Sequence, residues 1–287
     1  MNGREIITSR QNKLVTLVSK LGDRKHRDSE RLFVLDGIKL YAEACLCGIE
    51  MPYVLVNCEK AETVAAKLKS LGVEDAFSRI ENSILTTDAV FSKISQEKSP
   101  EGIISIARYI DKLHKIITIN KRDDFLVSTD ALATPTESVM MLESVRDPGN
   151  LGTVIRSAYA FGIDRLVLSL DCADIYNPRT VRAAMGALFR MRIDRCESLA
   201  PVINSYRQNG RRVLGSALDK NAMILRKGEL SGADIIVIGN EGHGISDSVR
   251  SACNGCIYIP MTENAESLNA AMASTVFAWE IGGNKLI

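Results

Sequence analysis

Three polar segments in the second half of this 287-residue chain carry residue types that could bind a ligand and act on it. They are RDPGNLGTVIR at 146–156, IGNEGHGIS at 238–246 and IPMTENAESLNAA at 259–271. Each is associated with an apolar run of strand type, and the carboxyl ends of parallel strands form the ligand-binding edge of such a sheet. The sequence therefore predicts that the three segments contribute to one site.

The first segment predicts a turn followed by a helix. Pro148 and Gly149 form the turn, and Asn150 is placed to cap the helix. Arg156 lies about two turns into that helix, where a long cationic side chain can reach toward a ligand. Taken singly, Asn150 is more simply explained as a helix cap and Arg156 as an exposed helix residue.

The second segment has glycines at 239, 242 and 244, which let backbone amides approach a ligand closely. Its pattern is G-x-x-G-x-G and no G-K-[ST] stands beside it, so it matches neither the dinucleotide fingerprint nor the P-loop. On its own it is also the pattern of an ordinary turn. In the third segment, a polar loop leads into a helix start with free backbone amides.

In this order the three segments resemble the motifs of the SpoU family of RNA ribose 2′-O-methyltransferases, within the SPOUT superfamily. The matching stretches are DPGNLGTVIRSAYAFG (147–162), IVIGNEGHGIS (236–246) and IYIPMTENAESLNAAMAS (257–274), with NPRTVRAAMGALFRMRI (177–193) between the first two. The family's substrate-binding domain is similar to LFVLDGIKLYAEA (32–44) and SPEGIISI (99–106). The resemblance implies an enzyme that methylates RNA with S-adenosyl-L-methionine.

The resemblance also implies a fold: an α/β domain with a parallel sheet and a deep trefoil knot, preceded by a small N-terminal α/β RNA-binding domain. It assigns cofactor binding mainly to backbone groups at Gly239, Ile259 and Leu268, with Ser216 as a further contact. The family's polar active-site positions correspond to Arg156, Asn150, Glu241, Ser267 and Asn269. The third motif usually continues as SLNVS and reads SLNAA here, so Ala271 lacks a hydroxyl that is common in the family.

Methylation of a ribose 2′-hydroxyl suits these residue types. The hydroxyl is a weak nucleophile, so it needs a group that takes or shares its proton while oxygen and methyl carbon are held in line. Because an arginine stays charged, we expect Arg156 to hold a phosphate and stabilise alkoxide charge rather than act as a base. Glu241 is expected to fix the guanidinium by a bidentate pair. Asn150, Ser267 and Asn269 are expected to orient the ribose or the loops.

The composition is that of an ordinary globular protein, with 46% hydrophobic residues and 36 Lys and Arg against 35 Asp and Glu. This balance excludes polycationic and acidic solvating proteins. The sequence has no apolar run long enough for a membrane span and no apolar stretch of a secretory signal, so a cytoplasmic location is expected. Seven cysteines in such a chain indicate reduced thiols.

Strand and helix patterns alternate in two stretches, which indicates two α/β domains. Residues 1–110 are expected to form the substrate RNA-binding domain, residues 111–137 a linker or insertion, and residues 138–287 the methyltransferase domain. A helix is predicted over 9–21 with Ser9 as its cap, and a closing helix from about 268 to 281.

Basic residues concentrate in two places. Residues 1–40 hold nine Lys and Arg against five acidic residues, and residues 179–195 hold five Arg against one Asp. A solvated face is the alternative, but an RNA enzyme favours phosphate contacts. The pairs Cys253–Cys256 and Cys45–Cys47 lack further ligands at zinc spacing, so buried thiols and no metal are expected.

Ribosomal RNA is the favoured substrate, because the added N-terminal domain is typical of family members that act on it. A tRNA enzyme and an antibiotic-resistance rRNA methylase are the alternatives within the family. A non-catalytic RNA-binding protein is disfavoured because the polar active-site residues are present, and a nicotinamide-dependent oxidoreductase because the glycine fingerprint is missing. The resemblance and the apolar closing helix AAMASTVFAWEI (270–281) together predict a homodimer.

Overall fold

The structure is a computed structural model, which describes residues 6–73, 83–113, 116–117, 119–120, 125–126, 137–219, 221–262 and 267–283. The chain divides into two compact units. The first unit comprises Met1–Ile110 and Asp174–Phe189, and the second comprises Asp111–Ala173 and Arg190–Ile287. The first unit is therefore built from two separate stretches of the chain.

The first unit contains a five-stranded sheet of order β1-β4-β3-β5-β2. Its strands are β1 (Ile6–Ile7), β2 (Leu32–Asp36), β3 (Tyr53–Asn57), β4 (Ile84–Thr86) and β5 (Ile103–Arg108). Strand β5 runs antiparallel to both of its neighbours, and the other pairs are parallel. The helices of residues 6–110 are Lys13–Lys20, Arg24–Glu30, Ile38–Leu46, Ala61–Ser70 and Asp88–Ile94.

Successive strand residues in the first unit belong to two different apolar clusters. Val56 packs with Tyr41 and Leu68, whereas Leu55 packs with Leu21 and Phe91. Because neighbouring side chains in a strand point to opposite faces, helices cover both faces of this sheet. This explains why strands β2, β3 and β5 are mostly apolar along their length.

The stretch Asp174–Phe189 completes the first unit. The guanidinium of Arg27 is almost fully buried and bonds to the Asp174 carboxylate, with Nη2 and Oδ2 2.6 Å apart. The ring of Tyr176 stacks on that of Tyr109 with centroids 4.1 Å apart. The stretch includes the helix Pro178–Ala184. A buried arginine needs its anion, so these residues are an integral part of the first unit.

The second unit contains an eight-stranded, wholly parallel sheet of order β13-β15-β12-β14-β9-β10-β11-β6. Its strands are β6 (Ile116–Ile117), β9 (Val139–Leu142), β10 (Arg165–Ser169), β11 (Arg192–Cys196), β12 (Val213–Ser216), β13 (Met223–Ile224), β14 (Ile235–Ile238) and β15 (Gly255–Tyr258). Strands β7 (Ile119–Asn120) and β8 (Phe125–Leu126) form a separate antiparallel pair. The predicted α/β fold class with a parallel sheet is confirmed.

The main helices of the second unit are Pro148–Ala160, Leu199–Gln208, Asp247–Ala252 and Ala270–Gly282. The helices Pro148–Ala160 and Ala270–Gly282 pack against each other, and Ser157 Oγ lies 2.8 Å from Thr275 Oγ1 across their contact. None of the helices in the described ranges is long and apolar enough to cross a membrane.

Three details differ from the sequence predictions. The first helix begins at Lys13 because the side chain of Asn12, not of Ser9, accepts a hydrogen bond from a free amide of its first turn. The closing helix begins at Ala270, two residues later than predicted, because Asn269 caps it. Most of the expected linker at 111–137 lies outside the described residues, but Ile116–Ile117 pairs with β11 and so forms the edge of the sheet.

Candidate functional site

A cavity of about 200 Å³ opens at the carboxyl ends of strands β12, β14 and β15, which are neighbours in the sheet. The residues expected to bind the cofactor all line it, namely Ser216, Gly239, Ile259 and Leu268. Glu241 and Ser267 line it as well. The described lining residues include no lysine or arginine, and their one carboxylate is that of Glu241. The cavity is therefore apolar with a negative group in its wall.

The turn after β14 is shaped by two glycines with different roles. A side chain on Gly239 would collide with the backbone of Gly244, so the turn can close only because that side chain is absent. Gly244 has a φ of +68°, which L-residues with side chains rarely adopt. Asn240 and Gly244 exchange two backbone hydrogen bonds, of 3.0 and 2.9 Å. The closed turn brings the backbone of Gly239 and the side chain of Glu241 into the cavity wall.

A chain of side-chain hydrogen bonds joins the three sequence segments. Asn150 Nδ2 donates to Glu241 Oε1 over 2.7 Å, and Asn150 Oδ1 accepts from Asn269 Nδ2 over 3.0 Å. Asn269 Oδ1 accepts a hydrogen bond from the backbone amide of Ala271 over 2.8 Å, which fixes this side chain to the start of the helix Ala270–Gly282. Because a carboxylate can only accept, Glu241 sets the direction of the whole chain.

Asn150 does not cap the helix Pro148–Ala160, as the sequence suggested it could. The cap is Asp147, whose carboxylate accepts from the backbone amide of Asn150 over 2.8 Å. Pro148 occupies the first helical position, where its missing N–H costs nothing. The side chain of Asn150 is thus free for Glu241 and Asn269.

The expected bidentate pair between Glu241 and Arg156 is wrong in this structure. The Glu241 carboxylate accepts from Asn150 instead, and Arg156 is exposed and does not line the cavity. Arg156 has no hydrogen bond or ion pair with any residue the structure describes. The physical reason is rotation along the helix: six residues turn the side-chain direction by about 600°, so Arg156 leaves about 120° away from Asn150.

Asn240 is a site residue that the sequence reasoning missed. Its Nδ2 donates to the carbonyl of Ser144 over 2.9 Å and its Oδ1 accepts from the amide of Gly242 over 2.8 Å. Ser144 has a φ of +55°, and its amide donates to Ser169 Oγ over 2.9 Å. The only signal in the sequence was an asparagine inside the glycine-rich turn, where such side chains bond to nearby backbone.

A carboxylate stabilises the loop that leads from β9 to the helix Pro148–Ala160. Asp171 accepts hydrogen bonds from Ser144 and Ser169 and an ion pair from Arg146. Burial alone would raise the pKa of Asp171, but these hydrogen bonds outweigh burial and lower it. The charged carboxylate therefore helps to hold Ser144 in its unusual backbone conformation.

The arginines of 179–195 are divided between the two units. Arg182 pairs with Glu97 in the first unit, with Nε and Oε1 2.7 Å apart. In the second unit Arg192 lies near two carboxylates and Arg195 donates to the carbonyl of Leu170. Part of the charge counted in the sequence is thus paired within the protein, and a phosphate-binding role for the cluster stays a prediction.

The cysteine pair near the site is buried. Cys253 and Cys256 lie in the apolar core of the second unit, and burial raises the pKa of the Cys253 thiol to about 12. Cys45 and Cys47 are half-buried. Within the described part of the chain, no group of His, Cys, Asp and Glu side chains has the arrangement of a metal site.

The chain matches two family models and is similar along nearly its whole length to a characterised methyltransferase. Residues 137–279 match the model of the SpoU rRNA Methylase family, and residues 12–105 match that of the MRM3-like substrate binding domain. The chain is 28% identical over 277 residues to the Bacillus subtilis 23S rRNA (guanosine(2553)-2′-O)-methyltransferase RlmP, covering 96% of this chain and 99% of the relative.

Three further proteins match along most of their length. The Streptomyces viridochromogenes 23S rRNA (uridine(2479)-2′-O)-methyltransferase is 26% identical, with 96% of this chain and 90% of the relative covered. The crystal structure of an AdoMet-bound rRNA methyltransferase from Sinorhizobium meliloti superposes with a TM-score of 0.73 at 26% identity, covering 99% and 98% of the two chains. A crystal structure of an RNA 2′-O ribose methyltransferase has the same fold, with a TM-score of 0.76 at 24% identity over 99% and 100% of the chains.

Proposed function

The chain belongs to the SpoU rRNA methylase family, and from this premise we propose that it transfers a methyl group from S-adenosyl-L-methionine to a ribose 2′-hydroxyl of ribosomal RNA. The observation that carries the proposal is the hydrogen-bonded chain of Asn269, Asn150 and Glu241 beside an apolar cavity. It brings one polar residue from each of the three motifs to the place where strand ends open a ligand site.

The cavity suits S-adenosyl-L-methionine, which supplies a reactive methyl group on a positively charged sulfur. Its wall contains the Glu241 carboxylate and no basic side chain among the described residues, so its electrostatics favour a cation. Because Gly239 and Gly244 approach closely and have no side chains, their backbone groups are exposed to a ligand in the cavity. Backbone groups at Gly239, Ile259 and Leu268, together with Ser216, are the groups that would hold the cofactor.

Glu241 is the residue best placed to receive the proton of the ribose hydroxyl. Its carboxylate lines the cavity and keeps one oxygen bonded to Asn150, which orients the group. A hydroxyl that shares its proton with a carboxylate becomes a better nucleophile as its bond to the methyl carbon forms. Asn269 fixes Asn150 in turn, and Ser267 is a second hydroxyl in the same wall.

Arg156 takes the electrostatic role in this proposal. It is exposed and forms no ion pair with the described residues, so its guanidinium is available to a phosphate of the bound RNA. An arginine binds phosphate through two parallel hydrogen bonds and stays charged during the reaction. It would hold the target nucleotide in line and stabilise negative charge on the attacking oxygen.

Residues 1–110 are proposed to bind the substrate RNA. The match of residues 12–105 to the MRM3-like substrate binding domain supports this role. Ribosomal RNA is supported as the substrate by the names of the Bacillus and Streptomyces relatives, both of which act on 23S rRNA. A cytoplasmic location is proposed together with this function.

A homodimer is also proposed. Tyr159, Met272 and Trp279 are large apolar side chains that lie about half-exposed on two packed helices, Pro148–Ala160 and Ala270–Gly282. Exposed apolar groups concentrated on one pair of helices favour burial against a second copy. Light scattering at micromolar concentration should give twice the chain mass, and a monomer would contradict the proposal.

The experiment that tests the function combines the purified protein with radiolabelled S-adenosyl-L-methionine and total RNA. We expect label in 23S rRNA at a ribose 2′-oxygen, located by resistance of one phosphodiester to alkaline cleavage. Glu241→Gln keeps the shape of the side chain and should abolish most of the transfer. Label on a base, on tRNA alone or on no RNA would refute the proposed reaction or its substrate.

A further inference from the structure

One wall of the cavity is a short segment that lacks regular structure. Strand β12 ends at Ser216, and Ala217 and Leu218 continue along the cavity wall. The amide of Ala217 still donates to the carbonyl of Ile257 over 3.2 Å, but Leu218 is 62% exposed. An apolar side chain that borders a cavity and is this exposed gains from covering a ligand. The position of Leu218 therefore depends on the contacts of the residues that follow it in the chain.

Asp219 anchors this wall to the helix that follows the second sequence segment. Its Oδ1 accepts from the amide of Asn221 over 3.0 Å, which shapes the turn, and its Oδ2 lies 3.2 Å from Arg250 Nη1. Arg250 belongs to the helix Asp247–Ala252, which follows the glycine-rich turn carrying Glu241. The ion pair thus joins the residue after Leu218 to the helix after the glycine-rich turn, and both Leu218 and that turn line the cavity.

The environment of Arg250 strengthens this assignment. Its Nε is buried and has no hydrogen-bond partner among the residues the structure describes. The bond to Asp219 is therefore the charge-compensating contact that the described structure gives this guanidinium. The side chains of Arg250 and Asp219 are 39% and 33% exposed, so solvent screens the pair and its effect must be modest.

We propose that Asp219 and Arg250 are positioning residues for the cofactor: their ion pair holds Leu218 against bound S-adenosyl-L-methionine. The identity of that cofactor rests on the proposed function. A wall already fixed before binding loses less conformational freedom when the ligand arrives, and this raises affinity without a direct contact. Neither residue takes part in methyl transfer.

Calorimetric titration with S-adenosyl-L-methionine tests the proposal without any RNA. Asp219→Lys and Arg250→Glu, made singly, should each weaken binding about threefold to fivefold, the scale of a partly exposed ion pair. The charge-exchanged double variant should bind more tightly than either single variant, because the pair is restored with opposite polarity, although lysine cannot replace the acceptor for the Asn221 amide. Glu50→Gln is the matched control, since it removes another exposed ion pair, to Arg108 in the first unit, and should leave affinity unchanged.

A double-mutant cycle separates positioning from general loosening of the fold. If the pair acts through Leu218, then Asp219→Asn should weaken binding in wild type but have little further effect in Leu218→Ala. Additive losses, or single variants that bind as tightly as wild type, would overturn the proposal, and melting temperatures show whether each variant is folded. Should the wild-type protein fail to bind this cofactor at all, the proposed function itself fails, and that result is distinct.

Discussion

The hydrogen bond between Asn150 and Glu241 makes a sharp prediction about the reaction. Asn150→Ala removes the donor 2.7 Å from the carboxylate, and the side chain of Asn269 loses its acceptor as well. A hydrogen bond to a charged group stabilises by about 1.5–3 kcal/mol. Because the bond between Asn150 and Glu241 is exposed to solvent, we expect a value at the lower end of this range. Since about 1.4 kcal/mol is a factor of ten in rate, we expect methyl transfer to slow by about tenfold.

Asn150→Asp tests the same bond with a change of charge. The new carboxyl keeps the acceptor for Asn269 but places a second negative group against Glu241. Two carboxyls at hydrogen-bond distance cannot both ionise easily, so the pKa of the pair rises and one proton is shared between them. The free energy of unfolding of this variant is therefore higher below the raised pKa, and it decreases as the pH rises through that pKa. Because Glu241 must be unprotonated to receive the ribose proton, the rate relative to wild type should be lowest at low pH and should recover as the pH rises through that raised pKa.

Single-turnover assays at saturating cofactor, from pH 6 to 9, measure these effects on the chemical step. Calorimetric binding of S-adenosyl-L-methionine is the control, because the substitutions act on Glu241 more than on the backbone groups that hold the cofactor. A folded Asn150→Ala variant with wild-type turnover would refute the reasoning. A rate for Asn150→Asp that varies with pH as wild type does would show that the two side chains do not meet during the reaction.

Three further outcomes are expected. Arg156→Ala should cut methyl transfer by about a hundredfold or more, the scale for losing a preorganised charged group, while calorimetric cofactor affinity stays near wild type; Arg156→Lys should remain impaired because it loses the planar fork. Gly239→Ala should abolish measurable cofactor binding, because its side chain collides with Gly244 and the turn must open; tight binding by this variant would contradict the geometry. Asp174→Ala should destabilise the first unit by about 3–5 kcal/mol, since it leaves the Arg27 charge buried without its anion; a denaturant midpoint equal to that of wild type would argue against this.

The meeting of the three motifs could be predicted from the sequence, because each is associated with an apolar run that suits a buried parallel strand. The N-cap of the helix Pro148–Ala160 could not be predicted from the sequence in the same way. Asp147 and Asn150 are both good capping residues, and the proline at 148 decides between them only once the helix start is known. The different directions of Asn150 and Arg156 were predictable in principle from the helical rotation between them.

The packing of Asp174–Phe189 with the first unit had no local signal in the sequence. Arg27 and Asp174 stand 147 residues apart, and nothing in the pattern around either residue names the other. The motif resemblance places this stretch between two segments of the methyltransferase domain, which predicts its position along the chain but not its packing partners. The sequence did not predict the role of Asn240 or of the pair Asp219 and Arg250 for the same reason, because these roles depend on contacts between residues that are distant in the sequence.

The discontinuous first unit has a consequence for how the protein is made. A ribosome delivers residues from the N-terminus onward, so the 110 residues that build the first sheet emerge well before Asp174. Until then Arg27 lacks the Asp174 carboxylate and the ring of Tyr109 lacks the ring of Tyr176, so the native interior cannot close. Residues 1–110 therefore remain incompletely folded while the first strands of the second unit are synthesised. Chaperone binding during synthesis should therefore peak before residue 174 emerges and decline after residue 189.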